Sequence, residues 1–214
     1  MSVSICAYRD WALEIYDSVK DVINCKLITS KDQFKEVSDS FKDDDTIFFI
    51  GWSWIIDDNI IQRCNCICLH PSPLPLYRGG SPFQHQIING ESTSAVTYFK
   101  MTSEVDAGEI LYQQEMSLKG GLQDIFNRVI PLGVAGLFYI LNNNIEGQLQ
   151  DESKATYFKR RKPSESEINL DDFKSLTAEE LYNKIRSLQD PYPNAYITCK
   201  DGKRIFITEA YYEE

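Results

Sequence analysis

Short apolar runs alternate with longer amphipathic stretches through the first half of the chain. Residues 3–8, 25–28 and 66–69 read as strands, and residues 46–51 (TIFFIG) are apolar throughout, as expected for a strand covered on both faces. Between them, residues 11–22 place Leu13, Ile15, Val19 and Val22 on one helical face, residues 31–41 form a polar helix, and residues 57–63 a short one. This rhythm predicts an α/β, Rossmann-like, doubly wound and mostly parallel sheet, with ligands at the carboxyl ends of its strands. A helix over 81–89 follows. Residues 94–101 and 108–116 then read as further strands around the loop 102–107, and residues 122–142 as a long core helix.

Texture changes near residue 143. The reading places a catalytic core at 1–143 and an extension at 144–214, made of a strap, a small helix and a β-hairpin. The strap, residues 153–166 (SKATYFKRRKPSES), is basic and polar. Thr177 and Glu180 form a capping box ahead of a helix with Leu181, Ile185 and Leu188 on one face. Pro191 and Pro193 stop that helix, and residues 196–207 read as a hairpin closing through a two-residue turn at Asp201-Gly202. Ile205, Phe206 and Ile207, beside Tyr211 and Tyr212, suggest a homodimer built partly from this hairpin, or a hairpin that covers its own core.

Composition narrows the partners. Lys plus Arg number 22 against 32 Asp plus Glu, a net charge of −10. That balance argues against a broad nucleic-acid or anionic-membrane surface while leaving room for a local basic pocket. No basic leader precedes an apolar stretch, and the longest apolar run, residues 129–141, holds one Pro and two Gly. It is too short to span a bilayer, so a cytoplasmic protein is expected. Of the six cysteines, Cys64, Cys66 and Cys68 alternate and share one strand face; without a Cys-x-x-Cys knuckle they read as buried thiols, and no metal site is expected.

Two histidines are present. His70 follows a buried strand and precedes Pro71-Ser72-Pro73-Leu74-Pro75, then Arg78-Gly79-Gly80, whose glycines let a ligand approach the backbone. Asp106-Ala107-Gly108 lies in the later loop. A carboxylate beside an imidazole favours the protonated ring, so the pair suits general-base work. On local features alone, a structural histidine and a simple turn remain open readings. His85 reads as a rim or structural residue.

The run 69–82 (LHPSPLPLYRGGSP), with VDAGEI at 105–110, WSWII at 52–56 and DPYPNAY at 190–196, resembles the formyltransferases that use N10-formyltetrahydrofolate, and looks most like the sugar-nucleotide N-formyltransferases. The resemblance implies His70 as general base and Asp106 as its charge partner. It implies a folate donor near Trp52, Ser53, Trp54, Ile55 and Ile56 and near Ser103, Glu104, Val105 and Asp106. The acceptor would be an amino-dideoxy sugar on a nucleoside diphosphate, with Arg9, Arg78, Gly79, Gly80, Tyr157, Arg160 and Arg161 as candidate contacts. Two departures stand out: Cys68 occupies a position where the family usually has Asn, and only two strands precede TIFFIG. Cys68 is therefore a candidate for a catalytic role of its own. Alternative readings are a glycinamide-ribonucleotide or methionyl-tRNA formyltransferase, a formyl-folate hydrolase, or an inactive folate- or nucleotide-binding module.

Overall fold

Residues 2–213 are described by the computed structural model. Along the chain come β1 (Val3–Cys6), α1 (Asp10–Val19), β2 (Cys25–Ile28), α2 (Lys31–Ser38), β3 (Thr46–Ile50), α3 (Asp58–Arg63) and β4 (Asn65–His70). Next are β5 (Arg78–Gly79), α4 (Pro82–Ile88), β6 (Thr93–Lys100), β7 (Ile110–Ser117) and α5 (Leu122–Asn142). The chain ends with β8 (Tyr157–Phe158), α6 (Asp172–Ser175), α7 (Ala178–Arg186), β9 (Ala195–Thr198) and β10 (Arg204–Ile207). The main sheet has the order β2-β1-β3-β4-β6-β7, parallel through β4 and antiparallel beyond it. It is a mostly parallel, Rossmann-like α/β sheet.

Strand alternation assigns the two faces. Ile5, Phe48 and Ile67 lie in register and join the larger core beneath α1 and α5. Cys6, Phe49 and Cys68, one residue on, face a smaller core under α2 and α3 with Phe34, Ile60, Cys64 and Cys66. All five side chains of β3 are buried because each face has its own helical layer. By length and composition α5 could cross a bilayer; instead it buries Leu122, Ile125, Phe126, Val129 and Leu137 against α1 and the sheet.

Two expectations are corrected. Helix α1 ends at Val19 and the chain turns on that residue's carbonyl, which accepts from Val22 and Ile23. Ile23, not Val22, therefore packs on the core, and Val22 is 74% exposed. The β9–β10 hairpin closes through three residues rather than two. Cys199 N donates to the Lys203 carbonyl, Gly202 N to that of Cys199, and Gly202 sits at φ +78°, the glycine bulge of a three-residue loop.

The Thr177–Glu180 capping box opens α7, and Ile185 and Leu188 form a small core with Ile168 and Ala195, joined by Ile197 and Ile207 of the hairpin. The hairpin thus covers a core of its own chain while Ile205 and Phe206 stay exposed.

Candidate active site

β4 ends at His70, whose cross-strand partner Thr97 shares its face. On that face the proline-rich loop is tied down: Thr97 Oγ1 donates to the Ser72 carbonyl (2.6 Å), Gln113 Nε2 to that of Leu74 (3.0 Å), and Ser72 Oγ to that of Leu76 (2.8 Å). These bonds bring the Tyr77 carbonyl within 2.8 Å of His70 Nε2. A carbonyl only accepts, so Nε2 carries the hydrogen and Nδ1 presents its lone pair. Asp106, at φ +55°, answers from the β6–β7 loop. Its Oδ2 accepts from Gly79 N at 2.7 Å and lies 3.5 Å from His70 Nδ1. The two side chains are only 7% and 15% exposed, so a proton taken up by the ring would be felt by Asp106 through a medium that screens poorly.

Cys68 lies on the same face, two residues earlier, packed against the smaller core with its Sγ 3.7 Å from the Leu69 carbonyl. Burial, and then the charge of Asp106, push its thiol well above the usual range. A thiol so raised favours its protonated form, which does not suit it to act as a nucleophile.

Arg78 is corrected more sharply. Its side chain is fully buried. The guanidinium donates to Gln150 Oε1 (2.7 and 3.1 Å), to both carboxylate oxygens of Glu152 (2.6 and 2.9 Å) and to the Tyr157 hydroxyl. Tyr157 is thereby engaged as well. Gly79 and Gly80 likewise make room for the strap and not for a ligand: a Cβ on either would run into the backbone of Phe158 or Arg160, and Gly79 sits at φ +95°. Pairing of β5 with β8 explains both.

Other candidates separate by exposure. Arg9, after β1, lies 3.4 Å from Ser53 Oγ and stacks over the rings of Tyr8 and Tyr192. Trp52 and Trp54 contact each other and Tyr8, forming an aromatic wall beside it. Ile55 (95%) and Val105 (60%) stand exposed on their two loops, as do Ser103 and Glu104, whereas Ile56 is core and leaves the set. Arg160 is exposed; Arg161 is half-buried and donates to the Glu165 carbonyl. His85 contacts the Lys159 carbonyl at 2.9 Å and the Phe158 ring, a structural place.

Sequence reasoning missed Gln113, Gln150 and Thr156. They act through backbone groups far along the chain, and no local pattern marks them.

A model of the formyl transferase family matches residues 13–129, and one of the formyl transferase C-terminal domain matches 162–214. Methionyl-tRNA formyltransferase of Ehrlichia ruminantium (strain Gardel) is 33% identical over 193 residues, 87% of this chain; the chain spans 59% of that protein's length. Among solved structures, methionyl-tRNA formyltransferase from Clostridium thermocellum is 29% identical and superposes with a TM-score of 0.80 over 98% of both chains. A sugar N-formyltransferase from Shewanella sp. shares the fold at 19% identity, with a TM-score of 0.74 over 100% of this chain and 99% of that one. His70, Asp106 and the loops that carry them all lie within the longer match, and the chain belongs to the formyl transferase family.

Proposed function

We propose that this protein transfers the formyl group of N10-formyltetrahydrofolate to a primary amine. The observation that carries the reading is the buried His70–Asp106 pair at the carboxyl end of β4, with the histidine held in one tautomer by the Tyr77 carbonyl. The folate supplies an activated formyl carbonyl. A C–N bond forms between the amine and the formyl carbon, the bond from that carbon to the folate nitrogen breaks, and a proton passes from the amine to the leaving nitrogen. His70 Nδ1 takes the amine's proton, and Asp106 stabilises the charged ring while it is held. Burial of the pair keeps bulk water from that proton.

The residues present fit the donor. Ile55 and Val105 offer exposed apolar side chains on the loops after β3 and β6, and Trp52 Nε1 is a buried donor with no partner among the described residues. A flat pterin ring with ring acceptors suits both features.

For the acceptor, the α-amine of methionyl-tRNA takes first place, because a relative at a third identity carries that name. The amino-sugar nucleotide rests on a shared fold and on the net charge of −10, which disfavours a long polyanion. Incubating the protein with N10-formyltetrahydrofolate and each acceptor class, followed by mass spectrometry, separates them. A formylated methionyl-tRNA supports the first reading and a formylated sugar nucleotide the second. Free formate without either would point to a hydrolase, and no turnover at all would overturn the activity. His70→Asn should lower the rate by about 10²–10⁴.

A further inference from the structure

Residues 150–156 of the extension hold the backbone beside His70 at one end and the loop of Asp106 at the other. Tyr77, whose carbonyl holds His70, sits at φ +60°, a conformation that a bulky residue adopts only when its surroundings impose it. Thr156 imposes it from both sides: its Oγ1 accepts from Tyr77 N at 2.8 Å and its carbonyl accepts from Arg78 N at 2.8 Å. Six residues earlier, Gln150 Nε2 donates to the carbonyls of Asp106 (2.9 Å) and Gly108 (2.7 Å), spanning the loop that carries the carboxylate. The orientation of this amide is fixed by its partners. Oε1 faces the Arg78 guanidinium, which only donates, and Nε2 faces two carbonyls, which only accept.

We propose that Gln150 and Thr156 are positioning residues for formyl transfer. Thr156 sets His70 through the Tyr77 peptide, and Gln150 sets Asp106 through its backbone. Buried Arg78 joins the two, since it binds Gln150 through its side chain and Thr156 through its amide. The 3.5 Å separation of Nδ1 and Oδ2 is thus held by a segment of the extension that meets no reacting atom. This inference rests on the activity proposed above.

Thr156→Val removes one hydrogen-bonding oxygen and keeps the side chain's shape, whereas Thr156→Ser keeps the oxygen. Gln150→Leu removes the amide. The measurements are kcat, the KM for formyl-folate and for the acceptor, and the ¹H–¹⁵N signals of the His70 ring in the ligand-free protein. Two histidines make that spectrum simple, and His85→Gln assigns it.

Thr156→Val and Gln150→Leu should lower kcat about 10²-fold with both KM values held, a cost typical of slight misplacement. The His70 ring signals should move in both variants, and Thr156→Ser should restore rate and signals together. Unchanged kcat in a folded variant overturns the proposal, as does a fall in kcat with unmoved His70 signals. If Gln150→Leu does not fold, Thr156→Val carries the test. If the wild type makes no formylated product, the proposed activity fails, and the ring spectrum alone decides the positioning role.

Discussion

At position 68 a protonated thiol lies beside the proposed catalytic pair, where the resemblance read from the sequence implies an asparagine. A thiol donates weakly, so in the proposed formyl transfer the negative charge developing on the formyl oxygen would lose one partner. Cys68→Asn is expected to raise kcat, by an amount equivalent to at most about 3 kcal/mol. Steady-state kinetics of the folded variant checks this, and a large loss of rate would show that the thiol or its volume is needed. Arg78 makes the opposite kind of prediction. Its side-chain donors all end on Gln150, Glu152 and Tyr157 of the extension, so Arg78→Met should lower stability by about 2–3 kcal/mol, the scale of hydrogen bonds to charged groups. Denaturant titration reads that loss. In whatever fraction stays folded, the acceptor's KM should hold; a KM that rises alone would return Arg78 to the binding surface.

Residues 150–156 are the stretch on which the proposed site depends, and the ion pair of Glu152 with Arg78 gives it a pH dependence. The hydrogen bond from Arg78 lowers the Glu152 carboxyl below its ordinary value of 4.5. A lowered carboxyl contributes stability above the unfolded value and loses it as pH falls through the folded one. The gap in Tm between wild type and Glu152→Gln should therefore be open at neutral pH and close in acid. A gap that persists in strong acid would assign it to shape instead of charge.

The strands of the first half and the helix of the extension were legible because each carries its own signal: TIFFIG is apolar throughout, and Thr177 with Glu180 announces α7. The meeting of His70 with Asp106 was legible through their motifs. The pairing of β5 with β8 was not, since two residues at each end carry no period and their partners stand 79 positions apart. Arg78 was misread for the same reason. An arginine beside two glycines looks like an anion site until the segment that fills it is seen. Ile56 was lost to the core because a loop position has no period from which its direction can be read.

On the scale of the whole molecule, charge decides what salt should do. The protein carries −10, yet Lys159, Arg160, Arg161 and Lys162 follow one another on the strap, with the Arg160 backbone against Gly80. A phosphate-bearing acceptor would meet this run together with Arg9. Arg160→Ala and Arg9→Ala should each raise the acceptor's KM more than the folate's. The salt dependence of that KM then separates the acceptors. A tRNA gripped at several phosphates loses affinity steeply with salt, by a slope near −0.7 to −0.9 per contact, whereas a nucleoside diphosphate has few contacts to lose. A KM that ignores salt and both substitutions would remove the basic run from the site.

The docking of the strap also sets a schedule for synthesis. The six-stranded sheet is complete once Ser117 has been made, but the segment that holds His70 and Asp106 ends at Phe158, about forty residues later. At roughly 5–20 residues per second, the emerging chain carries a finished sheet for about 2–8 s before its two reactive groups are locked in place. A ribosome-bound nascent chain stalled after α5 has emerged but before residue 150 should be folded but silent. Competence would arrive as a late event of translation, after the scaffold has already passed its own test of folding.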